Sequence, residues 1–97
     1  MFARVSTIQG KPELVGEGIR NFREQIMPAV KKMAGFKGAY LLVDHKSGKF
    51  VAIVLWDTEK NLQASAAAAD KLRAQAVQIA AATKPPMVEV YEVVIKP

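Results

Sequence analysis

The stretch Gly38–Trp56 limits what the chain can fold into more than any other. It reads Gly-Ala-Tyr-Leu-Leu-Val-Asp, then His-Lys-Ser-Gly, then Lys-Phe-Val-Ala-Ile-Val-Leu-Trp. Two runs rich in β-branched and aromatic residues flank a short polar segment with a glycine, the local signature of a β-hairpin. Neither run alternates apolar with polar. Ala39, Leu41 and Val43 fall on one side of the first strand, Tyr40 and Leu42 on the other. Phe50, Ala52, Val54 and Trp56 share one side of the second; Val51, Ile53 and Leu55 share the opposite side. A strand apolar on both sides must be covered on both sides.

The flanking sequence supplies cover for one side only. Phe2–Gln9 carries β-branched Val5, Thr7 and Ile8 and reads as a strand, broken by Gly10-Lys11-Pro12. A helix follows, with Val15, Ile19, Phe22, Ile26, Val30 and Met33 at spacings of three and four. Gly16 and Gly18 weaken its start, so its regular part is expected from Glu17. Pro28 is expected to kink or divide it near Met27, and Gly35 to terminate it. After the hairpin, Asp57 or Thr58 can cap a second helix. Its stripe is Leu62, Ala66, Ala69, Leu72, Ala76 and Ile79, with Gln63, Asp70, Lys71, Arg73, Gln75 and Gln78 on the far side. Pro85-Pro86 is expected to end it, and Met87–Lys96 to form a last strand.

The order is β-α-β-β-α-β across a single domain of residues 1–97. That order predicts an α+β, ferredoxin-like fold: a four-stranded antiparallel sheet with two helices on one face. The other face has no helix to cover it. Four strands ~4.8 Å apart and ~7 residues long give it an area on the order of 400 Å². A second copy, packed sheet on sheet in a dimeric α+β barrel, is the simplest cover.

Composition narrows the classes. Apolar residues make up 51% and charged residues 24%, as in ordinary globular chains. No apolar run approaches the ~20 residues that span a bilayer, so no membrane partner is expected. The N-terminus lacks the apolar region and cleavage site of a signal peptide, and cysteine is absent, so a cytoplasmic protein is expected. One histidine, His45, and no cysteine leave no metal-ligand cluster. The net charge of +5 is dispersed, with no basic run longer than two. RNA-recognition motifs share this element order, but they need alternating aromatics on the third strand, and Ala52 stands where the second would be. No nucleic-acid partner is expected.

From Gly35 to Leu62 the chain resembles the antibiotic-biosynthesis-monooxygenase-like (ABM) domains of the dimeric α+β barrel superfamily. The shared features are the first strand, Pro28 near the end of the first helix, and Gly35-Phe36-Lys37-Gly38-Ala39-Tyr40. A strand closing on Trp56, the start Asp57-Thr58-Glu59-Lys60-Asn61-Leu62 and a final Val/Glu/Tyr strand complete them. The resemblance implies a homodimer with a pocket between helices and sheet in each subunit. It also implies binding, and oxidation without a cofactor, of a small hydrophobic or aromatic, quinol-like molecule. A non-catalytic ligand-binding or assembly domain is the alternative. The haem-degrading branch of such domains uses an asparagine on the first strand, a tryptophan ending the third and a histidine on the second helix. The corresponding residues look like Ser6, Trp56 and Ser65, so haem iron would lack its axial imidazole and no cofactor is expected.

For a phenolic substrate, Trp56 and Tyr40 could supply aromatic walls and hydrogen bonds, and Arg20 or Arg23 an anion partner. The pocket candidates are Trp56, Tyr40, Asn21, Phe22 and Arg20; no catalytic residue is named. Each has a plainer role. Trp56 and Phe22 can be core, Tyr40 sheet or dimer packing, and Asn21 solvent-exposed. His45, in the hairpin turn, is expected in solvent. Glu89 and Glu92 lie three apart on a strand and face opposite sides, so they cannot form an acid/base pair.

Overall fold

The computed structural model describes residues 1–97. Strand β1 (Phe2–Gln9) leads through a 3₁₀ turn at Pro12–Leu14 into α1 (Val15–Asn21). A π turn at Phe22–Ile26 joins α1 to α2 (Met27–Lys31). Then come β2 (Phe36–Asp44), β3 (Lys49–Trp56), α3 (Glu59–Ala64), α4 (Ala66–Ala80) and β4 (Met87–Glu92). The four strands form one antiparallel sheet in the order β2-β3-β1-β4. This is the expected ferredoxin-like arrangement.

Proline governs the first helical segment as anticipated, by a specific device. Pro28 offers no N–H to the turn before it, and the chain widens there: the Met27 N–H donates to the Phe22 carbonyl, five residues back. The α-helical ladder resumes at Met27. The regular part begins at Val15, earlier than expected. Gly18 has its own reason to be glycine, because a Cβ there would overlap the ring of Phe50.

The second helical segment is divided, where one continuous helix was expected. Thr58 caps α3, its side chain accepting from the Asn61 N–H at 3.1 Å. At Ser65 the ladder breaks. Ser65 Oγ donates to the Leu62 carbonyl at 2.6 Å, and Arg4 Nη2 donates to the same oxygen at 2.8 Å. A serine hydroxyl on its own i−3 carbonyl competes with the helical bond and bends the chain. The helix then stops at Ala80, ahead of Pro85. Ala81 is left-handed (φ 51°), Ala82 N–H donates to Val77 O, and Thr83 N–H donates to Gln9 O at the end of β1.

The register decides which faces meet. Phe2 pairs with Trp56, Arg4 with Val54, Ser6 with Ala52 and Ile8 with Phe50, so these side chains share the face beneath the helices. A bulge between Phe36 and Gly38 returns Phe36 to that face, where its ring meets Trp56 edge-on at 6.3 Å and 85°. Ile8, Val15, Phe50 and Ala80 form the most buried cluster. On the opposite face Tyr40, Leu42, Met87 and Tyr91 are all more than half exposed. The last strand is shorter than expected, because β1 runs out of partners at Phe2, which pairs with Glu92. Val94 and Ile95 lie beyond it, almost fully exposed.

Candidate functional site

Between the helices and the covered sheet face lies a cavity holding about 80 Å³ in which the centre of a water molecule can move. Its walls are Trp56, Val54, Ala52, Phe50 and Leu41 from the sheet, and Phe22, Ile26, Val30, Ala69, Leu72 and Ala76 from the helices. Four of the seventeen lining residues are not apolar: Arg4, Ser6, Gly18 and Arg73. The sequence supports this shape. Small residues (Ala52, Ala69, Ala76) line it where larger ones would fill the space.

The polar residues form a connected set. Arg4 is 6% exposed; its Nη1 donates to Ser65 Oγ at 2.9 Å and its Nη2 to the Leu62 carbonyl. Arg73 Nε donates to Ser6 Oγ at 3.2 Å, and Arg73 Nη1 donates to Asp70 Oδ1 at 2.8 Å. That is the only salt bridge in the chain, and its carboxylate side chain is 73% exposed. Arg4 therefore has no carboxylate partner. Burial, and next the charge of Arg73, hold its pKa below the ordinary arginine range, with Asp70 pulling weakly the other way. Trp56 is fully buried, and its Nε1 is the one buried side-chain nitrogen or oxygen without a hydrogen-bond partner.

The structure sorts the candidates. Trp56 and Phe22 line the cavity. Tyr40 does not: it pairs with Ile53 on the open face and is 60% exposed. Arg20 is exposed on α1 and is not part of the lining. Asn21 is buried, contrary to its plainer role, yet is not part of the lining. Arg23 and His45 meet Ile19, Met27 and Val43 in a separate, open groove beside β2. The cationic groups of the cavity are Arg4 and Arg73 instead. Arg4 was detectable as the single charge on the Phe2-Arg4-Ser6-Ile8 face of β1. Arg73 counts to the solvated side by its charge alone; it follows Ala69 by four residues and precedes Ala76 by three, on the helix face that lines the cavity. Ser6 and Ser65, at the positions compared with the haem-degrading branch, each accept from an arginine. The lining residues do not fit a haem, since none is an imidazole, thiolate, thioether or phenol.

The whole chain superposes on several solved structures. A monooxygenase from the ActVA-Orf6 gene of Streptomyces coelicolor, in complex with the ligand nanaomycin D, matches with TM-score 0.75 at 18% identity, over 99% of this chain and 91% of that one. A protein of Deinococcus radiodurans, provisionally named an antibiotic biosynthesis monooxygenase, matches with TM-score 0.76 at 17% identity, over 100% and 96%. The chain has the ABM fold. Rv0793 from Mycobacterium tuberculosis shares it too, with TM-score 0.72 at 16% identity, over 98% of this chain and 96% of that one. Identities this low speak for the ABM fold alone. In sequence, the chain is 34% identical over 93 residues to the uncharacterized protein Rv2557 of Mycobacterium tuberculosis, covering 96% of this chain. It is 38% identical over 65 residues to Rv2558 of the same organism, covering 67% of this chain. The chain spans 41% of the length of the first relative and 28% of the second. No family model matches it. No helix is long and apolar enough to cross a membrane.

Proposed function

We propose that this chain is an ABM-fold domain that binds a small hydrophobic or aromatic, quinol-like molecule in the cavity against Trp56, and oxidises it with O₂ without a cofactor. The observation that carries this reading is the cavity: apolar walls, a buried indole N–H with no partner, and an arginine set at its polar side. Such a site desolvates an aromatic ring while offering donors to its oxygen, the requirement for holding a phenol as its anion. The nanaomycin D complex of the Streptomyces protein supports the ligand class by likeness of fold. The working unit is a homodimer, assembled by packing the exposed side of the sheet, with Tyr40, Leu42, Met87 and Tyr91, against a second copy.

Oxygen uptake with anthrone-type and quinol substrates tests the chemistry. Turnover that falls in Trp56→Phe, which keeps the ring and removes the N–H, supports it. A second reading, binding without turnover, is favoured by a lining that holds no carboxylate, imidazole or phenol to move a proton. Saturable binding with no oxygen uptake from any substrate decides for that second reading.

A further inference from the structure

The cavity and the open groove beside β2 share a wall. Phe22 and Leu41 line both. On the inner side they stand with Ala52, Val54 and Trp56; on the outer side with Ile19, Met27 and Val43. The two halves of this wall are not equally fixed. Leu41 sits within β2, paired with Ala52 of β3, so the ladder holds its backbone. Phe22 opens the π turn. The Met27 N–H reaches back five residues to the Phe22 carbonyl, whereas the Arg23 carbonyl, four back, would complete an α turn. That N–H has two carbonyls within one turn, and a change of register alters where Phe22 stands against the sheet. Wide turns of this kind recur at functional sites. In the observed register the ring is 7% exposed and closes the cavity on this side. The charged side is closed by fixed bonds instead: Arg73 is held by Ser6 Oγ at 3.2 Å and by Asp70 Oδ1 at 2.8 Å.

We propose that Phe22 is the gate of the cavity. Small uncharged molecules pass from the groove to the interior past its ring, which moves as the π turn changes register. Leu41 and Val43 lie on the helix side of β2, opposite Tyr40 and Leu42. Two copies packed through their open faces therefore leave this entrance in solvent. The gate goes beyond the function proposed above: it holds for any molecule small enough to enter, whether or not that molecule is oxidised.

Trp56 is the only tryptophan, is fully buried and lines the inner side, so its fluorescence lifetime reports entry. Quenching by acrylamide, an uncharged probe unrelated to any substrate, measures that entry without reference to the function proposed above. Phe22→Ala is expected to raise the quenching constant at least ~5-fold, equivalent to a barrier about 1 kcal/mol lower. Phe22→Leu, the milder change, raises it by less, and carries the test if the alanine variant does not fold. Val30→Ala enlarges the cavity but not the groove, and Arg73→Ala loosens the charged side; both are expected to stay near the wild-type value. The chain has no cysteine, so Arg23→Cys, added to the Phe22 variant, takes a bulky, non-fluorescent maleimide at the groove alone. Its attachment is expected to bring the constant back toward wild type. An equal rise in Val30→Ala or Arg73→Ala overturns the gate, as does a rise that survives the maleimide. Wild-type quenching in a folded Phe22 variant overturns it too.

Discussion

Arg4 Nη1 donates to Ser65 Oγ at 2.9 Å across 61 positions of sequence, pinning β1 to the break between α3 and α4. Its loss would leave no protein group without a partner. The Leu62 carbonyl still accepts from Ser65 Oγ and from the Ser65 N–H, and the Ser65 hydroxyl keeps its acceptor. Arg4→Met, which fills similar space without charge, is therefore expected to change stability by less than about 1 kcal/mol or to raise it. Urea unfolding of the variant beside wild type measures this. A loss of several kcal/mol would show the guanidinium to be structural.

Gly16 and Gly18 predict opposite outcomes two residues apart. Nothing lies within 4 Å of a Cβ built on Gly16, so Gly16→Ala is expected to stabilise α1 by about 1 kcal/mol through helix propensity. A Cβ on Gly18 overlaps Phe50, whose ring is 6% exposed in the main cluster. Gly18→Ala is expected to cost about 1–3 kcal/mol by overpacking and to push the ring toward the cavity, weakening ligand binding. Thermal denaturation of the pair checks the sign of each.

Acid weakens the fold at two exposed carboxylates. The side-chain hydrogen bond from Asn61, at 2.9 Å, holds the pKa of Asp57 below the ordinary carboxylate value. The backbone N–H of Lys46, then the Ser47 hydroxyl, do the same for Asp44 in the hairpin turn. With the folded pKa depressed, the unfolded chain takes up the proton first. The contribution is whole above the ordinary value of about 3.9 and is lost as pH falls through the folded value. Unfolding midpoints between pH 5 and pH 2 are expected to fall less steeply in Asp44→Asn and Asp57→Asn than in wild type.

Leu42 is 51% exposed on the open face, on the edge strand β2 and opposite Val51. A charge there would be buried without a partner in a sheet-on-sheet dimer. Leu42→Arg is expected to sediment as a monomer at concentrations where wild type sediments as a dimer, with an unchanged circular dichroism spectrum. A wild-type monomer at micromolar concentration would rule out the dimer.

Element order, hairpin and sheet were legible because each rests on a local signal: β-branched runs, Pro12, Pro28, Thr58, and the glycines at turns. What lay beyond reach was phase. Tyr40 and Leu41 are both apolar, so alternation cannot say which of them meets the helices; only the pairing of β3 with β1 does. The bulge at Gly38 moves Phe36 to the Trp56 side, against simple alternation from Tyr40. Arg73 follows Ala69 by four residues and precedes Ala76 by three, so it shares the helix face that lines the cavity, and only its charge argued for solvent. Its partner there, Ser6 on β1, lies 67 residues away, and no local window contains both. For Trp56, alternation with Phe50, Ala52 and Val54 gives the shared side, and the resemblance to ABM-like domains gives its place as a pocket candidate.

The chain has one tryptophan, so its ¹H–¹⁵N spectrum contains a single indole resonance, that of the unpartnered Trp56 Nε1–H. Following that resonance during titration with an anthrone-type quinol under nitrogen tests the account most directly. A saturable shift is the predicted result. A resonance that stays in place while the quinol saturates the protein would mean that the ligand binds elsewhere, and would contradict the account.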